Sequence, residues 1–99
     1  MNVVLWLEDW FNGNCNDDWE HGYGIQIVTL DNPGWSVDIS LVDTDIEHES
    51  FSAMEIERSD ENWLHCFIED GIFKGRGGPK NLGEILNIFR DWVTNLKSE

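Results

Sequence analysis

The stretch from Tyr23 to Val42, YGIQIVTLDNPGWSVDISLV, constrains the fold more than any other. Residues 25–30 and 35–42 are rich in β-branched side chains, and Asp31-Asn32-Pro33-Gly34 between them is turn chemistry. The second run alternates strictly, with Trp35, Val37, Ile39 and Leu41 on one face and Ser36, Asp38 and Ser40 on the other. Two registers satisfy the turn. A two-residue Pro-Gly loop pairs Leu30 with Val37. A four-residue loop pairs Leu30 with Trp35 and is favoured, because a type II Pro-Gly turn splays hairpin strands. The two differ by an even number, so both put Val28 and Leu30 on the face of Val37 and Ile39. Trp35 is then expected in the core, closing the turn.

The remaining elements arrange themselves around that hairpin. Residues 3–12 place Val3, Leu7 and Trp10 on one helical face, widened by Trp6 and Phe11, with Asn2 as N-cap and Asn12-Gly13 as a stop. Residues 14–22, NCNDDWEHG, read as a polar loop, and 43–52, DTDIEHESFS, as an acidic connection. Strands are expected at 53–58, 63–69 and 72–75, with Asp70-Gly71 as a two-residue type I′ turn pairing Ile68 with Phe73 and Phe67 with Lys74. Leu64, Cys66, Ile68 and Phe73 then share a face. Trp63, His65 and Phe67 take the opposite one, either covered by a loop or open to a partner. Gly75-Arg76-Gly77-Gly78-Pro79 reads as a flexible link to a final helix, with Asn81 and Glu84 spaced as a capping box. Leu82, Ile85, Leu86, Phe89, Trp92, Val93 and Leu96 trace its continuous apolar face. The expected fold is α+β: an antiparallel sheet of about four to five strands with N-terminal and C-terminal helices packed on it, in the order α-β-β-β-β-β-α, as a single domain over 1–99.

Charge narrows the function. The chain has a net charge of −14, which alone would suggest disorder, but six tryptophans and five phenylalanines argue for a packed globule. Residues 1–57 carry thirteen acids and no lysine or arginine, whereas 58–99 carry seven acids against six bases. Such a field repels phosphate backbones and anionic lipid and attracts a basic protein surface. No direct nucleic-acid or membrane partner is therefore expected. The apolar run VVLWL is short, lacks a basic lead and is cut by Glu8 and Asp9, so no signal or membrane segment is expected. Cys15 and Cys66 lack metal spacing; two free thiols in a reducing cytosol are the default, with a disulfide between them left open.

No catalytic, cofactor or metal site emerges. Glu20-His21 beside Asp17 and Asp18 can be drawn as an acid/base cluster, yet a solvated acidic loop accounts for it equally. His21, His48 and His65 have no metal-binding spacing, and residues 43–49 lack the glycine and ligand spacing of an EF-hand. The GRGG run precedes a helix, but it lacks the phosphate-loop Lys-Ser/Thr pair, and Pro79 removes a backbone donor.

In order along the chain, DWEHGYGI (18–25), LDNPGWSV (30–37), ERSDENWLHC (57–66), EDG (69–71) and GGPKNLGEIL (77–86) resemble the immunity protein 53 family. The GRGGP link differs slightly from the small-residue version of that family. The resemblance implies a small bacterial cytoplasmic α+β protein, encoded beside a polymorphic toxin, that neutralises a toxin domain by binding it. It implies neither catalysis nor a cofactor. An acidic protein could fill the basic groove of a toxin nuclease, with carboxylates for steering and a few aromatics as anchors. The expected partner-binding residues are Asp17, Asp18, Glu20, Asp43, Asp45, Glu47 and Glu49, with Trp19 and Tyr23 as anchors; core packing is the competing role for both aromatics. A small acidic ligand-binding domain or enzyme using the 17–23 loop is the alternative. A module that oligomerises through the aromatic sheet face is the third reading. The sequence leaves monomer and dimer equally open.

Overall fold

The computed structural model describes residues 2–97. In chain order the elements are α1 (Val3–Asn14), α2 (Trp19–Gly22), β1 (Ile25–Leu30), β2 (Gly34–Ser40), β3 (Met54–Ser59), β4 (Asn62–Glu69), β5 (Ile72–Gly77) and α3 (Leu82–Lys97). The five strands form one antiparallel sheet in the order β1-β2-β5-β4-β3. β3, β4 and β5 make a meander, and the 41–53 connection carries the chain from β2 to the far edge. The α+β architecture and its element order are those expected from the sequence; α2 is an additional single turn within the polar loop.

α1 starts as expected, with the Asn2 side chain accepting from the Val4 amide at 2.8 Å. It runs past Asn12-Gly13 to Asn14. There the side chains replace a glycine cap: Asn14 Nδ2 donates to the Trp10 carbonyl (2.9 Å) and Cys15 Sγ donates to that of Phe11 (3.3 Å).

The first hairpin corrects the expected register. Leu30 pairs with Gly34 across three residues, 31–33, and Ile27 pairs with Val37. An odd change in loop length flips the strand, so Ile25, Ile27 and Thr29 share the face of Val37 and Ile39, while Val28 and Leu30 face the other way. The physical cause is Gly34, which is strand rather than turn. A Cβ there would collide with the Gly77 carbonyl, so the glycine permits close packing of β2 on β5. Trp35 is half-buried rather than core; its indole Nε1 donates to the Pro79 carbonyl at 3.0 Å and seals the end of the sheet.

The Asp70-Gly71 turn has positive φ at both residues (56° and 75°), and Ile68 pairs with Phe73 as expected. β5 continues through Gly77, so Gly75, Arg76 and Gly77 are strand rather than flexible link. A Cβ on Gly75 would strike Ile85, which shows why α3 can lie close against β5.

α3 and α1 lie on one face of the sheet. Val37, Ile39, Leu64, Cys66 and Phe73 form the sheet side of the core, and Ile85, Leu86, Phe89 and Val93 the helix side. Phe89 is the hub. It lies about 5–6 Å from the rings of Trp6, Trp10, Phe73 and Trp92, edge-on to the first two. Trp92 itself is half-buried, its Nε1 donating to the Ser50 carbonyl at 2.8 Å. Among the described residues no helix packs on the opposite face, where Trp63, His65 and Phe67 stand half-buried beside Glu55, Lys74 and Arg76. At the start of α3 the Asn81 carboxamide donates to Asn62 (3.0 Å) and Glu84 (3.1 Å); its Oδ1 has no partner, so it does not form the expected capping box.

Candidate partner-binding surface

The two acidic segments meet at one end of the sheet. Gly24, just before β1, accepts from the Ser40 amide (3.0 Å), and the Leu41 amide donates to Gly71 (2.8 Å). The loop before β1, the connection after β2 and the β4–β5 turn therefore emerge side by side. The strand ends set this proximity; the loops' own sequences do not.

Residues 15–18 are pinned by side chains. Asn16 Oδ1 accepts from the amides of Asp18 (3.1 Å) and Trp19 (2.9 Å). Glu20 folds back so that one carboxylate oxygen accepts from Asn16 and the other from Asp17, both at 2.9 Å. Hydrogen bonds from its own backbone amide, then from Asn16 and Asp17, hold its carboxyl below the usual range. Trp19 turns inward, 2% exposed, against Trp10 and Phe11. This places it in the core, the competing role for that residue, so the indole anchors the loop to α1. Asp17, in the left-handed region at φ 71°, and Asp18 are left pointing to solvent.

The 41–53 connection is equally anchored. Leu41 and Ile46 are buried, and Phe51 packs edge-on between Phe73 and Trp92, 5.4 Å from each. Thr44 Oγ1 donates to the Leu41 carbonyl (2.7 Å), and Glu47 Oε1 accepts from the Asp43 amide (3.1 Å). Half-buried Glu47 thus shapes the loop, while Asp43, Asp45 and Glu49 are exposed. Asp9, Trp10, Gly13 and Asn14 of α1 face Asp43, Thr44 and Asp45 across a cleft of about 340 Å³, which joins the acidic loops to the helix. Tyr23 is 48% exposed and lines a second cleft of about 220 Å³ with Gly24, Gln26, Asp38, Ser40 and Ile72.

Asp9 and Asp70 join this acidic end, and sequence reading missed both. Asp9 could have been found as an acid on the polar side of α1, one turn before the helix ends. Asp70 was visible only as a turn residue. Among the described residues no lysine or arginine lies within salt-bridge distance of Asp17, Asp18, Asp43 or Glu49. Four basic side chains are paired with other carboxylates: Lys74 with Glu69 (2.9 Å), Arg76 with Asp38 (2.9 Å), Arg58 with Glu84 (2.7 Å) and Arg90 with Asp91 (3.2 Å).

The arrangement suits binding better than chemistry. A general base needs a carboxylate oxygen aimed at substrate, and Glu20 commits both of its oxygens to backbone amides. Cys66 is fully buried, and burial, then the Glu84 charge, pushes its thiol up to about 12. Both cysteines are free. No group of three or more His, Cys, Asp or Glu among the described residues could hold a metal ion. No helix among them is long and apolar enough to cross a membrane.

The family model described as immunity protein 53 matches residues 4–94. No curated protein and no solved structure matches the chain. The chain belongs to the immunity protein 53 family, which makes it an immunity protein against a toxin and gives it a toxin as binding partner.

Proposed function

We propose that this chain neutralises its toxin in the bacterial cytoplasm by presenting the acidic end of its sheet to a basic surface, most simply the substrate groove of a nuclease domain. The observation that carries the reading is the set of exposed carboxylates on two pinned loops, Asp17, Asp18, Asp43, Asp45 and Glu49, while Arg58, Lys74 and Arg76 are paired with other carboxylates. Loops pinned by Trp19, Ile46 and Phe51 lose little conformational freedom on binding, so their charges act without a large ordering cost. Opposite charge on the toxin speeds encounter, and affinity then comes from a few well-packed contacts. Tyr23 is the aromatic anchor in this reading. Glu20, Glu47 and Trp19 hold the loops in shape. No chemistry and no cofactor is needed, because occupancy of the groove is itself the inhibition.

Co-expression with the toxin domain encoded beside the gene tests the role. Cell survival and co-purification of the two chains are expected. Death of the cells with a folded immunity protein present would contradict it.

A further inference from the structure

The two edges of the sheet are built differently. β3, at one edge, carries Glu55, Glu57 and Arg58 and has a register shift between Glu57 and Ser59, the usual protections against unwanted pairing. β1, at the other, is IQIVTL: six paired residues without a charge, a proline or a bulge. Its outer row of backbone groups follows from the ladder. The Ser40 amide donates to Gly24, so Gly24–Ser40 is a hydrogen-bonded pair, and Gln26–Asp38, Val28–Ser36 and Leu30–Gly34 are the next in phase. Ile25, Ile27 and Thr29 therefore aim their N–H and C=O groups away from β2, at the open edge. Beside them Ile27 is 39% and Val28 53% exposed, one on each face.

We infer that β1 is a docking strand that takes an extended segment of the toxin as a sixth strand of the sheet. This rests on the toxin-binding reading above and adds to it where the backbone contact is made. Bonds to Ile25, Ile27 and Thr29 would supply affinity, and apolar residues at successive positions of the incoming segment would cover Ile27 and Val28. The edge leads directly from the acidic loop through Tyr23 and Gly24, so the fitting segment is basic where it passes the start of β1. Charge argues against a second copy of this chain. A two-fold β1–β1 pairing would bring Asp17 and Asp18 of one copy towards Asp31 of the other, between chains of net charge −14.

The test is amide hydrogen exchange on the full chain, free and bound to an inactivated form of the neighbouring toxin domain. Binding is expected to slow exchange at Ile25, Ile27 and Thr29 by about tenfold or more, while Gln26, Val28 and Leu30, already bonded to β2, change little. Thr29→Pro removes one outward donor at a position where an edge strand tolerates proline. It is expected to weaken toxin binding by about tenfold without lowering the melting temperature appreciably. A complex that forms but leaves Ile25, Ile27 and Thr29 unprotected overturns the docking strand and leaves the toxin reading intact. Protection of the same three amides in a dimer of the free chain overturns it in favour of a second copy. No complex at all removes both the toxin reading and the docking strand.

Discussion

The two ends of the sheet use charged residues in opposite ways. At one, Arg58 makes a two-pronged contact with Glu84 (3.0 and 2.7 Å) and reaches Asn62, Asn62 accepts from Asn81, and Trp35 ties the first hairpin to Pro79. Strand, turn and helix are cross-linked there, and polar side chains serve the fold. At the other, side chains that are partnered or buried, such as Glu20, Glu47, Trp19 and Phe51, serve only to hold loops in place. Among the described residues, Asp17, Asp18, Asp43 and Glu49 have no lysine or arginine within salt-bridge distance. A charge that folding does not use is available to a partner, and the proposed toxin-facing end rests on this difference.

Mutations can break or sharpen that contrast. Both ends hang on one core, so Phe89→Ala should loosen them together, costing about 3–5 kcal/mol by thermal or chemical denaturation. A variant that melted only one end would mean two separate folding units. Next in size, Gly78→Ala should cost about 1–3 kcal/mol at the cross-linked end, because the added methyl meets the Glu61 carbonyl and lies 2.9 Å from Asn81 Oδ1. At the acidic end the sign reverses. Gly13 sits within α1 with nothing within 4 Å of an added Cβ, so Gly13→Ala should stabilise by about 0.5–1 kcal/mol. Equal effects at Gly78 and Gly13 would erase the distinction between a packed and an open end.

A smaller effect appears in acid. Hydrogen bonds from Arg58 hold the Glu84 carboxyl below its usual range, and those from Lys74 do the same for Glu69. Each pKa is lower in the folded state than in the unfolded one. Their contribution is therefore present above the usual carboxylate range and is lost as pH falls through the folded pKa, where the unfolded chain binds more protons. Arg58→Met should lower the melting temperature slightly at neutral pH and flatten its decline in acid. An unchanged acid decline would show that the Arg58–Glu84 contact adds nothing to stability.

Much of the fold was legible in the sequence because it is written in local periodicity. The apolar stripe of α3, the type I′ turn at Asp70-Gly71 and the assignment of Leu64, Cys66 and Ile68 to one face of β4 all appear as expected. The failures are non-local. The β1 face flipped because Gly34 and Gly77 approach each other across strands, a contact that no window around the turn contains. Gly77 read as linker for the same reason, since its need for a missing side chain comes from Ile85 on a later helix and Trp63 on a neighbouring strand. At the candidate surface, composition identified the acidic segments but could not sort their members. Asp18 and Glu20 look alike in sequence, yet one faces solvent and the other staples the loop. Trp19 stayed open between partner anchor and core residue because the aromatic pocket that receives it comes from α1.

The most direct measurement is the rate of toxin association as ionic strength is varied, compared between the native chain and one carrying Asp17→Asn, Asp18→Asn, Asp43→Asn and Asp45→Asn. Asparagine tolerates the left-handed backbone of Asp17 and Asp43, so the loops should keep their shape and stability should change little. If the acidic end faces the toxin, association at low salt falls by about 10–1000-fold and its salt dependence flattens. An association rate and salt slope equal to those of the native chain would place the toxin on another surface.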